Sequence, residues 1–312
     1  MMLINPRYLA GWRLSQSPFY EKVKKDLWEN NFMERKKYAL VTGGGRGIGQ
    51  GIALRLGKEG YNVAITYRNS DEGALRVQKE LIKMGSETEI FRADMSDLSQ
   101  VNAAFDEYEK RYQYLDLLVN NAGVTMAAPF LETTPDLFDA VVNTDLRGVF
   151  FMAQRAAKYM IKQNCEGCII NISSNQGIAN FDHYSVYGSV KAAVTKLTKH
   201  MAMELSRYNI RVNSISPGYV DVSGRKHSSH PERHKYRAKH ETLIPLGSYA
   251  IPEQVAGIAV FLASDDAVYI TGSNIVADGG ARLPVVMDTP VDWLPDSVTD
   301  RRKSILKKNE NE

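Results

Sequence analysis

The chain has 312 residues and a mass of 35.0 kDa, with 44% hydrophobic residues, 24% charged residues and a net charge of +3. These values are typical of a soluble globular protein and exclude disorder of the whole chain, and no run approaches the roughly 18 apolar residues that a membrane helix needs. Two cysteines cannot build a disulfide scaffold, so we expect a reducing, cytoplasmic setting.

Short apolar runs alternate with segments of helical spacing along most of the chain. The predicted strands are 38–42, 62–67, 88–92, 115–120, 168–173, 210–215 and 274–277, and the predicted helices are 48–56, 74–84, 101–112, 137–161 (one helix or two), 184–207 and 253–262. Apolar strands in strict alternation with helices indicate a parallel sheet covered on both faces. We therefore predict an α/β fold, a single doubly wound Rossmann domain with a parallel seven-stranded sheet and helices on both faces.

This domain is predicted to span residues 36–283, with a lid at about 219–250. Residues 1–35 have no clear apolar period and are interpreted as an N-terminal extension. Met33 is a second candidate start, so residues 1–32 are either native or an over-extended gene model. The polar residues toward the C-terminus predict that 284–312 are a tail.

A glycine-rich loop, Gly43 to Gly49, follows the first predicted strand and leads into the first predicted helix. Glycines let the backbone turn tightly and let a pyrophosphate approach main-chain N–H groups, and the helix N-terminus adds partial positive charge. Glycines alone are weak evidence, but their place between strand and helix predicts a dinucleotide site.

The end of the second predicted strand is expected to meet the adenosine ribose. An acidic residue there binds the 2′-hydroxyl of NAD, whereas an arginine suits the 2′-phosphate of NADP. Arg68 occupies this place, and Arg46 of the glycine loop is a second cation within reach. The sequence therefore favours NADP, with NAD as the alternative.

Tyr187 and Lys191 are spaced i, i+4 in a predicted helix and share one face. A free tyrosine has a pKa of about 10, and an ammonium close by favours the phenolate. Ser174 follows a predicted strand, where it can donate a hydrogen bond to a substrate oxygen. Together the three side chains predict an acid–base site.

With these features, residues 36–283 resemble the short-chain dehydrogenase/reductase family of the compact type. Further motifs that carry the resemblance are Asn120-Asn121-Ala122-Gly123, Asp94 after the third strand, Asn143 in the long helical segment, Pro217-Gly218 and Asp278-Gly279-Gly280. The resemblance implies an oxidoreductase that uses a nicotinamide cofactor.

The resemblance also implies the roles of individual residues. Tyr187 exchanges a proton with the substrate oxygen, Lys191 supports the tyrosine and holds the nicotinamide ribose, Ser174 polarises the carbonyl, and Asn143 supports a water-linked proton path. The implied cofactor-binding residues are Gly43, Gly45, Arg46, Gly47, Ile48, Gly49, Arg68, Asp94, Met95, Asn121, Ala122, Gly123, Tyr187, Lys191, Pro217, Gly218 and Val220.

One position departs from the family pattern. Five residues after Pro217 the family often has a threonine that contacts the cofactor, and here that position is Val222, followed by Ser223. The departure leaves open whether Ser223 substitutes or the contact is lost.

The predicted lid is cationic and rich in histidine. Between Arg225 and Glu241 there are six Lys and Arg residues against two Glu residues, and four of the six histidines of the chain. This charge attracts an anionic substrate or is simply a solvated surface. His230 and His234 have a spacing that metal ligands use, but no third ligand is evident, so we predict no metal site.

These observations favour an NADP(H)-dependent oxidoreductase of a secondary alcohol or ketone, with a sugar or polyol slightly favoured as substrate. The alternative is a 3-oxoacyl-thioester reductase acting on an acyl carrier protein or CoA thioester, and a non-catalytic dinucleotide-binding regulator is more remote. We expect a small-molecule substrate, no nucleic-acid or membrane partner, and the homotetramer or dimer that the resemblance implies. Cys165 and Cys168 are interpreted as packing or surface thiols.

Overall fold

Seven parallel strands form the centre of the molecule in a computed structural model that describes residues 35–222 and 240–283. The elements below all lie within the compact unit Lys37–Glu312. The strands are β1 (Tyr38–Val41), β2 (Asn62–Tyr67), β3 (Ile90–Arg92), β4 (Leu117–Asn120), β5 (Cys168–Ile172), β6 (Arg211–Pro217) and β7 (Asn274–Ala277). Their order in the sheet is β3-β2-β1-β4-β5-β6-β7, which confirms the predicted fold class.

Helices connect the strands and cover both faces of the sheet. They are α1 (Gly47–Lys58), α2 (Asp71–Lys83), α3 (Leu98–Arg111), α4 (Pro135–Val142), α5 (Gly148–Lys162), α6 (Ser185–Leu205) and α7 (Pro252–Ala263). Successive side chains of a strand point to opposite faces, so β1 contributes to two cores: Leu40 packs with α3 and α5, while Ala39 and Val41 pack with α1, α2 and α7. Each fully buried large apolar side chain contributes roughly 1.5–3 kcal/mol.

The predicted helical segment 137–161 is two helices joined by a wider turn. Thr134 caps α4 by accepting a hydrogen bond from the Leu137 N–H, and Asn143–Arg147 then form a π-helical turn before α5. Gly148 begins α5 with its Cα against the Met95 carbonyl, where a Cβ would collide. Extra residues in a π turn change which side chains face the core, and such turns are frequent at functional sites.

The strand order identifies the edge of the sheet at which a ligand is expected to bind. From β1 the chain proceeds outward to β2 and β3, then crosses back to β4 on the other side of β1. Ligands of open parallel sheets bind at the carboxyl ends of the strands where the order reverses. The glycine-rich loop after β1 and the residues after β4 and β5 therefore meet at one crevice.

Both cysteines are buried free thiols. The Cys168 Sγ lies 3.5 Å from the Leu262 carbonyl oxygen, and burial raises the pKa of Cys168 to about 11. A thiol with a raised pKa is a poor nucleophile, so Cys168 packs in the core in agreement with the sequence interpretation. Among the described residues, no helix combines the length and the apolar character needed to cross a membrane.

Candidate active site

The glycine-rich loop is held in place by the residues that follow β4. The Thr42 Oγ1 accepts hydrogen bonds from the Asn121 and Ala122 N–H groups, both at 3.0 Å. The Asn121 side-chain amide donates in return to the Thr42 carbonyl at 2.9 Å and the Gly43 carbonyl at 3.3 Å. Asn121 and Ala122, predicted as cofactor-binding residues, are thus the supports of the loop.

The loop fits a pyrophosphate. Gly43 and Gly47 have φ angles of 65° and 56°, in the left-handed region that favours glycine. The first-turn N–H groups of α1, from Gly47 to Gly49, have no intrahelical partners by helix geometry and are available to an anion. Gly45 lies against the backbone of α2 at Ala74, Ile48 packs on the core, and the exposed Arg46 precedes α1.

Two polar side chains meet beyond the end of β2. The Arg68 Nη1 lies 3.3 Å from the Asp94 Oδ2 in a partly exposed ion pair. Both residues line a cavity of about 420 Å³ together with Asn69, Arg92 and Gln100. Arg92, at the carboxyl end of β3, was not predicted from the sequence, although its place beside Tyr67 in the strand register follows once the sheet order is known.

The Asp94 carboxylate is kept ionised by its neighbours. Partial burial works against its charge, but the Ser96 N–H and hydroxyl donate to Oδ1 at 2.9 and 2.7 Å, and Arg68 lies at Oδ2. Together these groups hold the pKa of Asp94 below its ordinary value. Met95, the next predicted residue, is buried beneath α5 rather than open to the crevice.

Tyr187 and Lys191 lie one turn apart on α6, as their spacing predicted. The Lys191 Nζ is 5.5 Å from the centre of the Tyr187 ring and donates a hydrogen bond to the Ile172 carbonyl at 3.1 Å. The lysine is only 4% exposed, whereas the tyrosine is half-buried. The ammonium is therefore fixed behind the tyrosine at the carboxyl end of β5.

A buried carboxylate that the sequence reasoning missed completes this group. Asp145, in the π-helical turn, is fully buried and places its Oδ2 3.0 Å from the Lys191 Nζ. Its Oδ1 accepts a hydrogen bond from the Val124 N–H at 2.8 Å. A side chain at Gly123 would press on Asp145, because a Cβ there would lie 2.7 Å from Oδ2.

Asn143, which is predicted to support a proton path, begins the same π-helical turn as Asp145. The structure brings Asp145, and not Asn143, against Lys191. Side chains two positions apart on a helical turn point to nearly opposite sides, so Asn143 and Asp145 cannot both face α6 in this way. The carboxylate against the lysine is that of Asp145, and the role of Asn143 in a water-linked proton path stays a prediction.

The Asp145 carboxylate is the largest of the effects that favour the charged form of Lys191. Burial alone lowers the pKa of a lysine, but the Asp145 carboxylate and, next, Tyr187 outweigh that effect. As a result the pKa of Lys191 lies above its ordinary value. The ammonium remains charged at physiological pH although it is removed from water.

Ser174 lies just beyond the carboxyl end of β5, at the start of a short 3-10 turn, Asn175–Gly177. Its Oγ accepts a hydrogen bond from the Gln176 N–H at 3.2 Å. This turn packs closely on α6: a Cβ at Gly177 would lie 2.7 Å from the Ala192 N, and one at Gly188 would lie 2.9 Å from the Gln176 carbonyl oxygen. The packing brings Ser174 to the end of α6 that carries Tyr187.

The turn after β6 closes the site from the other side. Gly218, which follows Pro217, has no space for a Cβ because Asp278 lies 2.7 Å from that position. Val220 forms an isolated parallel bridge with Ala250. Val222 lies over the glycine-rich loop, since a Cβ at Gly47 would be 3.2 Å from its Cγ1. An apolar side chain thus stands where the family often places a threonine.

Aromatic rings line the two described ends of the predicted lid. Tyr219 stacks on Tyr249 with ring centres 5.1 Å apart, and the Tyr249 hydroxyl lies 3.2 Å from the His240 Nδ1. Phe181, on the segment before α6, meets the Tyr219 ring edge-on at 6.4 Å. The basic part of the lid that includes His227, His230 and His234, together with Ser223, lies outside the described residues, as do most of the predicted extension and tail.

The geometry defines a class of enzyme. A tyrosine backed by a buried ammonium, next to a strand-end serine and a loop suited to a dinucleotide, is an arrangement for moving a proton while a nicotinamide moves a hydride. Within residues 35–222 and 240–283, no cluster of three or more His, Cys, Asp or Glu side chains is placed to hold a metal ion.

Comparison with known proteins agrees with this class. A family described as Enoyl-(Acyl carrier protein) reductase matches residues 43–282. The 3-oxoacyl-[acyl-carrier-protein] reductase FabG of Staphylococcus aureus is 39% identical over 248 residues, which are 80% of this chain and 99% of the relative. The 3beta-hydroxysteroid dehydrogenase 1 of Eggerthella lenta is 37% identical over 249 residues, which are 79% of this chain and 94% of the relative.

A solved structure extends the likeness to a cofactor complex. The short-chain dehydrogenase from Burkholderia cenocepacia in complex with NADP superposes with a TM-score of 0.72 at 32% identity, covering 78% of this chain and 97% of the other. The chain belongs to the short-chain dehydrogenase/reductase family. It is an NAD(P)-dependent oxidoreductase that acts on CH–OH groups.

Proposed function

We propose that the protein transfers a hydride between NADP(H) and a secondary alcohol or ketone, with Tyr187 as the group that exchanges the proton. The observation that carries this proposal is the buried Lys191 ammonium 5.5 Å from the centre of the Tyr187 ring, at the carboxyl edge of the sheet. The cofactor, when bound, supplies the hydride.

The residues divide the remaining work between them. In reduction, the Tyr187 hydroxyl gives its proton to the carbonyl oxygen as the carbonyl carbon accepts the hydride, and in oxidation the phenolate takes the proton back. The Ser174 hydroxyl donates a hydrogen bond to the same oxygen and polarises the carbonyl. In this proposal Lys191 stabilises negative charge on the tyrosine oxygen and binds the nicotinamide ribose.

NADP is the proposed cofactor because of the arginines at the adenosine end. Arg46 is exposed directly before α1. Arg68 and Arg92 both line the cavity beyond the end of β2. Guanidinium groups bind phosphate through charge-assisted hydrogen bonds, and the 2′-phosphate is what distinguishes NADP from NAD. Asp94 in that cavity is already paired with Arg68, so it does not compete for a free ribose hydroxyl.

A sugar or polyol remains the favoured substrate. Tyr219 and Tyr249 offer both an apolar ring face and a hydroxyl at the described ends of the lid, and a sugar presents C–H and O–H groups together. The alternative, a 3-oxoacyl thioester, is favoured by the 39% identity to an enzyme named for that substrate.

A substrate panel tests the proposal. Sugars, polyols, steroids, acetoin and acetoacetyl-CoA are offered to the purified protein with NADPH, NADH and their oxidised forms, and cofactor absorbance reports turnover. We expect turnover of at least one secondary alcohol or ketone, fastest with the NADP forms. Turnover only with NAD forms contradicts the cofactor assignment, and turnover of the thioester alone selects the alternative substrate.

Tyr187→Phe is the decisive variant for the mechanism. Loss of the hydroxyl removes the proton path and leaves the ring packing, so we expect turnover to fall by at least about a hundredfold while NADPH binding, followed by fluorescence, is retained. Tyr184→Phe is a matched control, since the Tyr184 ring lies 6.4 Å from that of Tyr187 at the same end of α6. Activity retained in Tyr187→Phe would reject Tyr187 as the acid.

A further inference from the structure

The buried carboxylate of Asp145 has no place in the proposed chemistry so far. It is 0% exposed, next to a lysine that is 4% exposed, so both charges have been removed from water. Placing a carboxylate and an ammonium in the interior is costly, and replacing such a pair with apolar residues is often neutral or stabilising. Stability therefore does not explain why Asp145 and Lys191 form a buried ion pair, and we look for a functional reason.

We propose that Asp145 is a positioning residue that fixes the Lys191 ammonium and balances its charge, and thereby keeps Tyr187 in its protonated, proton-donating form. This inference rests on the proposed function and adds to it the group that holds the tyrosine in the form that donates a proton to a carbonyl oxygen. Asp145 touches Lys191 and acts on Tyr187 only through that contact and through its charge.

The geometry shows how the ammonium is fixed. The Val124 N–H anchors one carboxylate oxygen of Asp145 at 2.8 Å, and the absence of a side chain at Gly123 leaves room for the other oxygen beside the ammonium. On the opposite side, the Ile172 carbonyl accepts from the Lys191 Nζ at 3.1 Å. The Asp145 Oδ2 is close to Nζ but accepts no well-aligned hydrogen bond, so the contact is chiefly one of charge.

The charge balance follows from the groups around Tyr187. The π-helical turn contributes the buried Asp145 and the exposed Arg147. The segment from Ile172 to Gly177 and the loop from Asn121 to Val124 contribute only uncharged side chains. On the segment that leads into α6, His183 and Asp182 lie 3.3 Å apart and are exposed. Among the described residues, ionisable groups on elements near this end of α6 also include Tyr184, the exposed Asp136 and Asp139 of α4, and Tyr219 and Asp221 after β6.

With Asp145 ionised, the buried pair beside Tyr187 has a net charge of zero. A neutral side chain of the same shape leaves the ammonium uncompensated, and an uncompensated positive charge stabilises the phenolate. The carboxylate therefore favours the phenol, which is the form that donates a proton to a carbonyl oxygen. In an Asp145→Asn variant, the amide oxygen and the Ile172 carbonyl still offer the Lys191 ammonium two hydrogen-bond acceptors.

A spectroscopic titration tests the proposal without substrate or cofactor. The ultraviolet absorbance of phenolate is followed against pH in the wild-type protein and in Tyr187→Phe, and the difference isolates Tyr187. The same difference is taken between Asp145→Asn and the Asp145→Asn/Tyr187→Phe double variant. We expect the Tyr187 midpoint to lie about one pH unit lower without the carboxylate, the size expected for one nearby buried charge.

The controls separate electrostatics from damage to the fold. Asp116→Asn is matched, because Asp116 also accepts a backbone N–H, from Tyr38 at 2.7 Å, but lies at the opposite end of the strands. It is expected to leave the midpoint unchanged. If Asp145→Asn does not fold by circular dichroism, Gly123→Ala displaces the carboxylate without altering a charge, and the midpoint is again expected to fall.

An unchanged or higher midpoint in the folded variant would overturn the role of Asp145. Because the titration uses neither cofactor nor substrate, that result leaves the proposed hydride transfer intact. A lowered midpoint in a protein that turns over no alcohol or ketone in the panel would instead support Asp145 and reject the proposed function.

Discussion

Arg68 is the residue that we expect to decide between the two nicotinamide cofactors. It is about half exposed at the end of β2 and paired with Asp94, so its guanidinium group is held over the cavity instead of moving freely in solvent. Holding the group in place reduces the entropy lost when a phosphate binds. The acidic partner thus positions the arginine and is not itself a ribose ligand in our interpretation.

Replacing Arg68 with serine is expected to weaken NADPH binding about tenfold or more, because a charge-assisted hydrogen bond to phosphate is lost. NADH binding is expected to change little. Serine is preferred to aspartate here, since a carboxylate at position 68 would stand beside Asp94 and repel it. Fluorescence titration of both reduced cofactors measures the change.

Arg76→Ser is the matched control for this experiment. Arg76 is an exposed arginine on α2 that also has an acidic neighbour, the Glu72 Oε2 at 3.6 Å, and it does not line the cavity. It is expected to leave both affinities unchanged. An equal loss for NADPH and NADH in Arg68→Ser would show that another group recognises the 2′-phosphate.

The position of Asp145 shows what a motif can miss at the level of single residues. The sequence reasoning chose Asn143 because an asparagine was expected in that segment. Val141, Asp145 and Val149 are spaced i, i+4, i+8 and are all buried, so Asp145 occupies an apolar face of the helical segment. A carboxylate on an apolar face signals a buried partner, but only the structure identifies that partner as Lys191.

At the scale of elements, the glycine-rich loop and the segment after β4 form one unit. Asn121 binds the carbonyl groups of Thr42 and Gly43, and Gly49 of α1 packs directly on the Asn121 amide and the Gly43 carbonyl. The first helix can approach the first strand this closely only because position 49 has no side chain. The loop conformation therefore depends on an element that is more than seventy residues distant in sequence.

Gly49→Ala is expected to destabilise the fold by about 1–3 kcal/mol, the usual cost of inserting a methyl group into a packed region, and to weaken NADPH binding. Urea unfolding and fluorescence titration measure the two effects. Gly257→Ala is the matched control, because a Cβ at this position of α7 meets nothing within 4 Å. Gly257→Ala is expected to raise the free energy of unfolding by up to about 1 kcal/mol, since alanine has a higher helix propensity than glycine. Equal effects in the two variants would refute the packing argument.

The order and type of the elements were predictable because the apolar runs and helical spacings were distinct. The ends of the strands were less predictable. The predicted strand 88–92 corresponds to β3, Ile90–Arg92, and the predicted strand 115–120 corresponds to β4, Leu117–Asn120, so both strands begin later than predicted. Leu115 is buried although it precedes its strand, so apolar character alone does not mark where sheet pairing begins. The π-helical turn had no sequence signal because its residues continue an ordinary helical pattern.

At the scale of the whole molecule, the strand order explains why distant motifs meet. The loop after β1, the Asn121 segment after β4, Ser174 after β5 and the Pro217-Gly218 turn at the end of β6 all lie at the carboxyl edge of one sheet. Sequence patterns identified each segment, and the parallel alternation predicted their common edge. Side-chain contacts such as that of Val222 with the glycine-rich loop depend on how the connections fold back, which periodicity does not specify.

Exposed apolar side chains on α4 and α5 form a candidate interface between subunits. Leu131, Phe138 and Phe150 are substantially exposed on α4, α5 and the segment before them. Apolar surface of this kind is costly in water and marks interaction sites when it is extensive. The homo-oligomer implied by the sequence therefore remains our prediction, with α4 and α5 in the interface.

The double variant Phe138→Glu/Phe150→Glu is expected to reduce the mass of the assembly, because buried carboxylates without partners oppose association. Size-exclusion chromatography with light scattering measures the mass, and circular dichroism verifies the fold. Leu75→Glu/Ile82→Glu is a matched pair on α2, where both side chains are at least as exposed as Phe138 and Phe150. The control is expected to keep the wild-type mass; a wild-type monomer, or an equal loss of mass in both variants, would exclude α4 and α5 as the interface.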